Sequence, residues 1–488
     1  MKKHIITILL LVALMLPAAA LNPKREFRGA WLHTVFQDQY HRQSTAKNKE
    51  YLRQQLDKLH DAGVNAIVFQ VRPQADAFYP STLEPWSRFL TDDGKAPQPQ
   101  WDPLQFMIDE CHARGMELHA WLNPYRVTSS ANQTLPKGHI YHKHPEWFVR
   151  YDRKIYFDPG LPECREFICR VVMDIVDRYD VDGIHFDDYF YPYPVKGKEF
   201  PDSKSYAKYG KGKNKDDWRR ANVDQLIEAL HTKISARKPW VVFGVSPFGI
   251  WRNKSTDPKG SDTNGLENYD SLYADVLLWA NRGWVDYLLP QLYWDLEHKA
   301  ASYLTLVDWW GRNAQGRHMF VGQDVERTMK FPDIGDSREA SQLRHKINLT
   351  RADDNIQGNC WWPGYYVTEN RGGIADSLMI DFQSTVAIPP AYPWISDKRP
   401  DAVRNFKRHS DSLSWDAPRT AGKADDVVKY VVYRFEEDDE IDLENTEAIE
   451  AITWKPSFDI EYPGVYVVTA LSRVNQESKP SKPIHVKL

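Results

Sequence analysis

The sequence predicts an α/β fold: a closed barrel of eight parallel strands with helices around it, followed by an all-β domain. Two observations predict the barrel: short, almost continuously apolar runs alternate with longer amphipathic stretches, and there are eight such runs within residues 21–387. Parallel strands that helices cover on both faces are apolar at nearly every position. Eight β/α units close into a (β/α)8 TIM barrel, whereas a doubly wound open sheet is the alternative.

The apolar runs predict eight strands, and the amphipathic stretches between them predict seven helices. We expect the strands at residues 28–34, 65–72, 117–123, 183–188, 241–247, 287–293, 319–324 and 358–363. We expect the helices at residues 48–62, 103–114, 164–179, 218–236, 273–282, 300–313 and 338–350. Gly63 and Gly115 follow the first two helical stretches and predict their ends.

The pattern changes at Ile388, where two prolines are followed by strand-like runs without a helical period. Residues 388–488 therefore predict an all-β, immunoglobulin-like sandwich. This part resembles a fibronectin type III module, with Trp415 on an early strand and Tyr466 on a late one. We expect it to act as a spacer or a packing partner without a catalytic role.

Residues 1–20 have the pattern of a signal peptide. Lys2 and Lys3 precede a short apolar run, and Pro17 with three alanines forms a small-residue cleavage site. No stretch reaches the roughly 18 uninterrupted apolar residues of a membrane-spanning helix. We expect an exported protein, periplasmic or associated with the cell envelope, without a transmembrane segment.

The four cysteines do not predict a disulfide framework or a zinc site. Cys164 and Cys169 lie five residues apart on a predicted helix and point to different faces, so they form a poor disulfide pair. No C-x-x-C or H-x-x-x-H spacing occurs. We expect Cys111, Cys360 and this pair to be buried free thiols.

The composition indicates a soluble globular protein. Of the 488 residues, 42% are hydrophobic and 27% are charged, which argues against disorder. The net charge of −4 creates no global field that would attract nucleic acid or an anionic bilayer. The aromatic content of 13% fits contact with carbohydrate, although a large core also uses aromatic residues.

Polar and aromatic side chains end the predicted strands, where the active site of a TIM barrel lies. They are Trp31, His33, Gln70, Arg72, Asn123, Tyr125, Arg126, His185, Asp187, Asp188, Ser246, Gln291, Tyr293, Asp295, Gln323, Asp324, Trp361 and Trp362. Carboxylates, amides and aromatic rings, without a glycine-rich phosphate loop or a metal motif, favour a neutral polyol such as a sugar chain. Contact with water explains isolated polar residues at strand ends. It does not explain why Trp and Tyr recur beside amides on several strands.

The fourth predicted strand ends in two adjacent acids, Asp187 and Asp188. Side chains alternate along a strand, so His185 and Asp187 enter the barrel if Ile184 and Phe186 pack against the helices. Glycosidases use two carboxyl groups, one as a general acid and the other as a nucleophile or base. We therefore predict Asp187 as a nucleophile or base; helix capping and calcium ligation are the alternatives for the pair.

The second carboxyl group has several candidates. Asp188 is the first, and the others are Asp295, Asp324, Asp76 and Glu84. A general acid needs burial against apolar neighbours to raise its pKa, which Tyr189, Trp294 or Trp362 could provide.

Histidines and lysines also mark the predicted barrel mouth. His33, His119 and His185 lie on three different strands and could converge on a metal, but a hydrogen-bonding role in the wall is the more common one. We expect no metal and no other cofactor. Seven lysines within residues 196–215 border the site and could attract an acidic glycan, although solvated charge is the default explanation.

Several long motifs resemble the glycosyl hydrolase-like 10 family of exported bacterial proteins. They are FRGAWL at 27–32, FQVRP at 69–73, WDPLQFM at 101–107, HAWLNPYR at 119–126, DGIHFDDYFY at 182–191, GVSPFGIWRN at 244–253 and PQLYW at 290–294. The resemblance implies a (β/α)8 glycosidase that acts on bacterial cell-wall glycan, including peptidoglycan strands stripped of peptide. It implies that Asp187 and Asp188 match the family's paired acids.

The same resemblance places other residues on shared strand-end positions: Arg72, Asn123, Tyr125, Arg126, Trp251, Arg252, Gln291 and Tyr293. With the strand-end analysis, the expected substrate-binding set adds Trp31, His33, His185, Tyr189, Trp294 and Trp362. The fourth strand also looks like the nucleophile motif of alpha-amylases, but the fifth ends in Ser246 and Pro247 without the acid that amylases have.

The sequence thus predicts a glycoside hydrolase whose partner is a glycan and not a nucleic acid. Two other hypotheses stay open. One is a glycan-binding protein that kept the barrel and lost catalysis, and the other is a metal-dependent deacetylase.

Overall fold

The computed structural model describes residues 22–91, 93–130, 132–332, 341–419 and 423–487. The predicted signal peptide and the start of the seventh predicted helix, at Arg338, lie outside these ranges. Within them, no helix has both the length and the apolar character that are needed to cross a membrane.

Eight parallel strands close into a barrel, which confirms the predicted fold and excludes the open sheet. They are Phe27–Leu32 (β1), Ala66–Arg72 (β2), Glu117–Leu122 (β3), Gly183–Phe186 (β4), Val242–Val245 (β5), Tyr287–Leu288 (β6), His318–Asp324 (β7) and Ile356–Trp362 (β8). Strand β6 is shorter than predicted because Pro290 has no N–H group to continue the ladder. Gln291 resumes it as an isolated bridge to Phe248 and Gly322.

Helices alternate with the strands as predicted. They are Thr45–Asp61 (α1), Pro103–Ala113 (α2), Pro162–Arg178 (α3), Lys215–Arg237 (α4), Val276–Arg282 (α5), Tyr303–Arg312 (α6), Leu343–Arg351 (α7) and Gly364–Thr368 (α8). Helix α2 shows why the sequence specifies these ends. The Asp102 side chain accepts a hydrogen bond from the Gln105 backbone N–H at 3.1 Å, Pro103 starts the helix, and Gly115 follows its end with a φ of 77°.

A β-hairpin that the sequence analysis did not predict follows β3. Its strands, Phe148–Tyr151 and Lys154–Phe157, pair antiparallel around Asp152 and Arg153. Both turn residues have positive φ, 47° and 65°, as a two-residue hairpin turn requires. The hairpin lies on the side of the barrel where the strands end, because Tyr156 bridges to Arg126 in the segment after β3.

The interior of the barrel contains a line of hydrogen-bonded polar side chains. Ile184 and Phe186 lie in the apolar cluster that the helices cover, which leaves His185 on the inner face. The Trp31 indole N–H donates to His185 Nε2 at 3.3 Å, and the Tyr287 hydroxyl contacts both His185 Nδ1 at 3.0 Å and His119 Nδ1 at 2.9 Å. The Tyr287 ring occupies space that a side chain at residue 244 would fill, so β5 requires Gly244.

All four cysteines are free and buried, as predicted. Cys111 lies on α2, Cys164 and Cys169 lie on α3, and Cys360 lies on β8. Burial raises the pKa of Cys169 to about 12, so none of this set resembles a reactive thiolate in an accessible, electropositive position.

The C-terminal residues form two antiparallel sheets. One contains Arg404–Arg408 (β9), Ser412–Asp416 (β10) and Ser457–Asp459 (β13), and the other contains Ile449–Thr453 (β12), Val427–Phe435 (β11), Gly464–Ser472 (β14) and Ile484–Val486 (β15). Leu413 and Trp415 of the first sheet pack in one cluster with Val432 and Val468 of the second. Two sheets thus enclose a common apolar layer, as in a sandwich.

A buried ion pair joins the C-terminal sheets to the amino-terminal end of the barrel strands. Lys429 Nζ on β11 lies 2.7 Å from a Glu117 carboxylate oxygen at the start of β3, and the two residues are 1% and 3% exposed. Asn475 donates to the same oxygen at 3.0 Å. Burial opposes the charge of Glu117, but Lys429 and His119 beside it hold its pKa below the ordinary value.

Removal of one partner of this pair should destabilise the whole chain. Lys429→Met leaves the Glu117 charge buried without its cation, and we expect a loss of about 3 kcal/mol in the free energy of unfolding. Adding Glu117→Gln to that variant should recover most of the lost free energy of unfolding, because it removes the buried charge. Chemical denaturation measures both values, and Lys455→Met, at an exposed lysine, is the control. A Lys429→Met variant as stable as this control would contradict the assigned role.

Candidate active site

A cavity of about 350 Å³ opens at the carboxyl ends of the barrel strands. Its lining residues come from the ends of seven strands and the segments that follow them. They are Trp31, His33, Val35, Phe36, Gln70, Trp121, Asn123, Arg126, Asp187, Asp188, Tyr189, Ser246, Gln291, Tyr293 and Trp362. Both predicted catalytic residues and eight of the predicted binding residues are therefore in one cavity.

Asp187 and Asp188 follow directly after β4, and both line the cavity although they are adjacent in sequence. Because the strand ends at Phe186, the chain bends there, and the alternation that would separate the two side chains no longer applies. Their exposed fractions are only 4% and 2%. Two carboxyl groups thus lie together with little exposure to water, which makes ionisation of both unfavourable.

The environment of Asp187 favours its protonated form. Burial raises its pKa well above the ordinary value, and the neighbouring Asp188 carboxyl raises it further. Arg126, the Tyr189 backbone N–H and the Trp121 side chain act in the opposite direction but do not compensate. The Tyr189 N–H donates to Asp187 Oδ1 at 3.3 Å, a long hydrogen bond.

The environment of Asp188 stabilises its ionised form more strongly. Burial holds its pKa above the ordinary value as well, although hydrogen bonds from the side chains of Tyr193 and Gln291 act in the opposite direction. The Tyr193 hydroxyl donates to Asp188 Oδ2 in a short hydrogen bond. The Gln291 amide is fixed in turn, since its Nε2 donates to the Ser246 backbone carbonyl at 3.1 Å. The pair therefore has unequal affinities for a proton.

Three tryptophans form one wall of the cavity. Trp362 meets Trp31 edge to face with ring centroids 6.3 Å apart, and it meets Trp121 in the same way at 5.9 Å. Elsewhere in the lining, the Arg126 guanidinium lies 3.8 Å from the centre of the Tyr189 ring. Indole and phenol faces can cover the C–H faces of a sugar ring, while Asn123 and Gln291 offer amide groups to hydroxyls.

Six of the predicted binding residues do not line this cavity. Arg72 binds Glu84 in a buried ion pair, with Nε 2.7 Å from a carboxylate oxygen, and donates to the Asn123 and Pro124 carbonyls. Tyr125 is completely buried, and His185 lies below the cavity in the barrel interior. Of these three, Arg72 acts on the site indirectly, because it holds the backbone carbonyl of Asn123, whose side chain lines the cavity.

The other three lie in the long segments after β5 and β6. Trp251 stacks on Trp309 with centroids 5.8 Å apart. Arg252 binds Asp257 and Asp270, each at 2.7 Å. The Trp294 ring packs against Phe248. The backbone carbonyl of Trp294 accepts a hydrogen bond from Lys346 Nζ at 2.9 Å.

The other candidate acids are engaged elsewhere. Glu84 is held by Arg72, and Asp324 caps the helix Val325–Lys330 by accepting from the Arg327 backbone N–H at 2.8 Å. Asp295 accepts from the Glu297 N–H at 3.1 Å in a turn. Asp76 accepts from Ser87 Oγ at 3.0 Å, lines a different cavity, and has a pKa that burial raises to about 6. Among these candidates, Asp188 is the acid that shares the cavity with Asp187.

The three strand histidines do not gather around one point. His119 and His185 both contact the Tyr287 hydroxyl inside the barrel, whereas His33 contacts the Gln37 side chain at 2.6 Å. Burial lowers the pKa of His33 to about 4 and holds the pKa of His185 well below its ordinary value, so these two are neutral at pH 7.

The sequence analysis did not select Tyr193 or Trp121. Trp121 could have been found, because strand alternation places it on the same face as His119 and Asn123. Tyr193 lies in an aromatic and proline-rich segment after β4, and nothing in that pattern indicates which tyrosine reaches an acid. Phe36, which is 65% exposed at the rim, also carries no sequence signal.

A (β/α)8 barrel with two buried carboxyl groups and an aromatic wall at its mouth defines the class of the protein: it is a glycoside hydrolase. The chain belongs to the glycosyl hydrolase-like 10 family, whose sequence model matches residues 26–332. It is 38% identical over 476 residues to the glycosyl hydrolase YngK of Bacillus subtilis (strain 168), covering 94% of this chain and 93% of that protein.

Two further comparisons have lower coverage or lower identity. The glycosyl hydrolase DigH of Escherichia coli (strain K12) is 41% identical over 370 residues, covering 70% of this chain and 84% of that protein. A solved structure, the catalytic domain of a β-amylase from Paenibacillus polymyxa, is 12% identical with a TM-score of 0.45, covering 74% of this chain and 99% of that one.

Loss of the Tyr193 hydroxyl should change the pH dependence of activity. The Tyr193 hydrogen bond stabilises ionised Asp188, so Tyr193→Phe should raise the pKa of that carboxyl. We expect the acidic limb of the kcat/KM profile to move to higher pH, because activity needs one ionised carboxylate. Tyr466→Phe, which removes a hydroxyl that donates to the Tyr462 carbonyl in β14, is the control. An unshifted acidic limb in Tyr193→Phe would refute the role of the hydroxyl.

Proposed function

We propose that the protein is an exported enzyme that cleaves O-glycosidic bonds in bacterial cell-wall glycan, with Asp187 and Asp188 as its catalytic carboxyl groups. The observation that carries the proposal is the placement of these two buried acids in one cavity with the Trp31, Trp121 and Trp362 side chains. Glycosidases need such a pair, with one group protonated and the other ionised.

The unequal environments of the two acids support different roles for them. Asp187 keeps its proton and donates it to the leaving glycosidic oxygen as the C–O bond breaks, whereas the sequence alone favoured it as nucleophile or base. Asp188 stays ionised, held by Tyr193 and Gln291, and stabilises the positive charge that develops on the sugar ring. Water then supplies the hydroxyl group of the product, and its proton returns to the carboxylate pair.

Cell-wall glycan is proposed as the substrate on three grounds. The signal-peptide pattern at residues 1–20 would bring the protein to the wall. The motif resemblance implies this substrate, including strands stripped of peptide. The lysines within residues 196–215 would favour an acidic glycan over a neutral one.

We also propose that residues 388–488 are a fibronectin type III-like domain that packs against the barrel. The two antiparallel sheets with a shared apolar layer support this class. The buried contact of Lys429 with Glu117 favours a fixed packing partner over a loosely tethered spacer.

The decisive variant is Asp187→Asn, which keeps the shape of the side chain and removes its acidic proton. We expect kcat to fall by about three orders of magnitude or more, because general acid catalysis contributes 10²–10⁴-fold and the acid is also part of the charge balance of the site. Release of reducing ends from peptide-free peptidoglycan measures the loss.

Asp324→Asn is the matched control, because asparagine also caps the helix that Asp324 begins. It should retain wild-type activity. Full activity of Asp187→Asn would exclude its catalytic role. Binding of the glycan without turnover by the wild type would show a glycan-binding protein. Release of acetate without new reducing ends, abolished by chelation, would show a metal-dependent deacetylase.

A further inference from the structure

A second cavity of about 450 Å³ adjoins the catalytic one. The two cavities share three lining residues, Phe36, Arg126 and Tyr189. The hairpin residues Lys154 and Tyr156 also line the second cavity, and so does Tyr193 from the segment after β4. Each cavity alone lies within the range of roughly 300–1,000 Å³ that holds a small-molecule ligand.

The hairpin after β3 forms the floor of this second cavity. Side chains alternate along its second strand: Ile155 and Phe157 are buried in the main apolar cluster, whereas Lys154 and Tyr156 line the cavity. The turn at Asp152 fixes the register, so the two faces cannot exchange. A phenol ring and an ammonium group are therefore held at the cavity surface by the core packing of their neighbours.

The hairpin is attached to the catalytic cavity through backbone contacts. Arg126 forms an antiparallel bridge with Tyr156, and the Val127 N–H donates to the Ile155 carbonyl at 3.1 Å. The Ile155 N–H donates to Thr128 Oγ1 at 2.8 Å. The segment that carries Arg126 into the catalytic cavity thus acts as a third strand beside the hairpin, which fixes the distance between the two cavities.

Tyr193 connects the cavities at side-chain level. Its hydroxyl binds the Asp188 carboxylate, and its ring lines the second cavity and meets the Tyr189 ring edge to face, with centroids 5.9 Å apart. A ligand in the second cavity would therefore be in contact with a residue that binds a catalytic carboxylate.

We infer that the second cavity is a sugar-binding subsite, so that a glycan chain lies across both cavities and is cleaved at the one that contains Asp187. This inference rests on the proposed function. The Tyr156 and Tyr193 rings would cover the C–H faces of sugar units, which is the contact that aromatic residues make with carbohydrate. Lys154 can donate to sugar hydroxyls, since no described carboxylate forms an ion pair with it, whereas Asp152 binds Lys198 at 2.6 Å.

The test compares glycan oligomers of increasing defined length, prepared from peptide-free peptidoglycan, with the full-length protein. We expect kcat/KM of the wild type to rise at least tenfold once the chain is long enough to reach the second cavity. Tyr156→Ala should reduce kcat/KM about tenfold for the long oligomers, a change of about 1.4 kcal/mol and of the order of one aromatic contact. It should leave kcat/KM for the shortest substrate unchanged, because that substrate does not reach Tyr156.

Lys154→Met is a second hairpin variant. It should reduce kcat/KM for the same long oligomers without disturbing the packing of Ile155 or Phe157. Tyr462→Ala, a half-exposed tyrosine outside both cavities, is the matched control. Equal kcat/KM at all lengths, together with a Tyr156→Ala variant that behaves as the wild type, would overturn the subsite while leaving the hydrolase intact.

Calorimetry separates failure of the subsite from failure of the proposed function. In the Asp187→Asn background, oligomer affinity should rise with length, and Tyr156→Ala should remove that rise. This result would support the subsite even if the wild type cleaved none of these oligomers, which would refute the proposed activity. Affinity that is independent of length would overturn the subsite.

Discussion

The pairing of β1 with β8 joins Phe27 to Gly358 and Ala30 to Trp361, and it closes the sheet into a barrel. Closure is possible because Gly358, at a φ of 145°, has no side chain to collide with the Phe27 backbone carbonyl. In an open sheet, the ends of β1 and β4 would lie far apart. In the barrel, Trp31 and Asp187 line the same cavity, and the Trp31 indole binds His185 across the interior. The candidate site depends on this closure.

Burial raises the pKa of both carboxyl groups, and hydrogen bonds from the surrounding loops make their proton affinities unequal. Both lie in a site where a single negative charge is tolerated more easily than two. Tyr193 comes from the segment after β4 and Gln291 from the segment after β6, and both act on Asp188. The hairpin after β3 adds Tyr156 to the adjoining cavity, which Tyr193 also lines. One rigid barrel thus supports a site whose differences in proton affinity come from its loops.

The strands and helices could be predicted because their periodicity is local, and the ends of α2 because Asp102, Pro103 and Gly115 specify them. The clustering of Asp187, Asn123 and Gln291 followed from parallel strands alone. The hairpin was missed because Arg150 and Lys154 belong to its two strands, so neither strand is a continuous apolar run. Arg72 was assigned to the substrate because its partner Glu84 lies in a loop whose path no periodicity indicates. Trp251 and Arg252 follow a strand end, but the long segment after β5 carries them to Trp309 and Asp270.

The central claim is that the buried pair shares its charge unequally, with the proton on Asp187. The most direct measurement is an NMR titration of protein labelled with ¹³C at the aspartate carboxyl carbons, with each signal assigned by its loss in Asp187→Asn or Asp188→Asn. The account predicts that the Asp187 signal titrates above the Asp188 signal and well above the ordinary aspartate value of 3.8. If both carboxyl groups titrate at or below 3.8, the account is wrong.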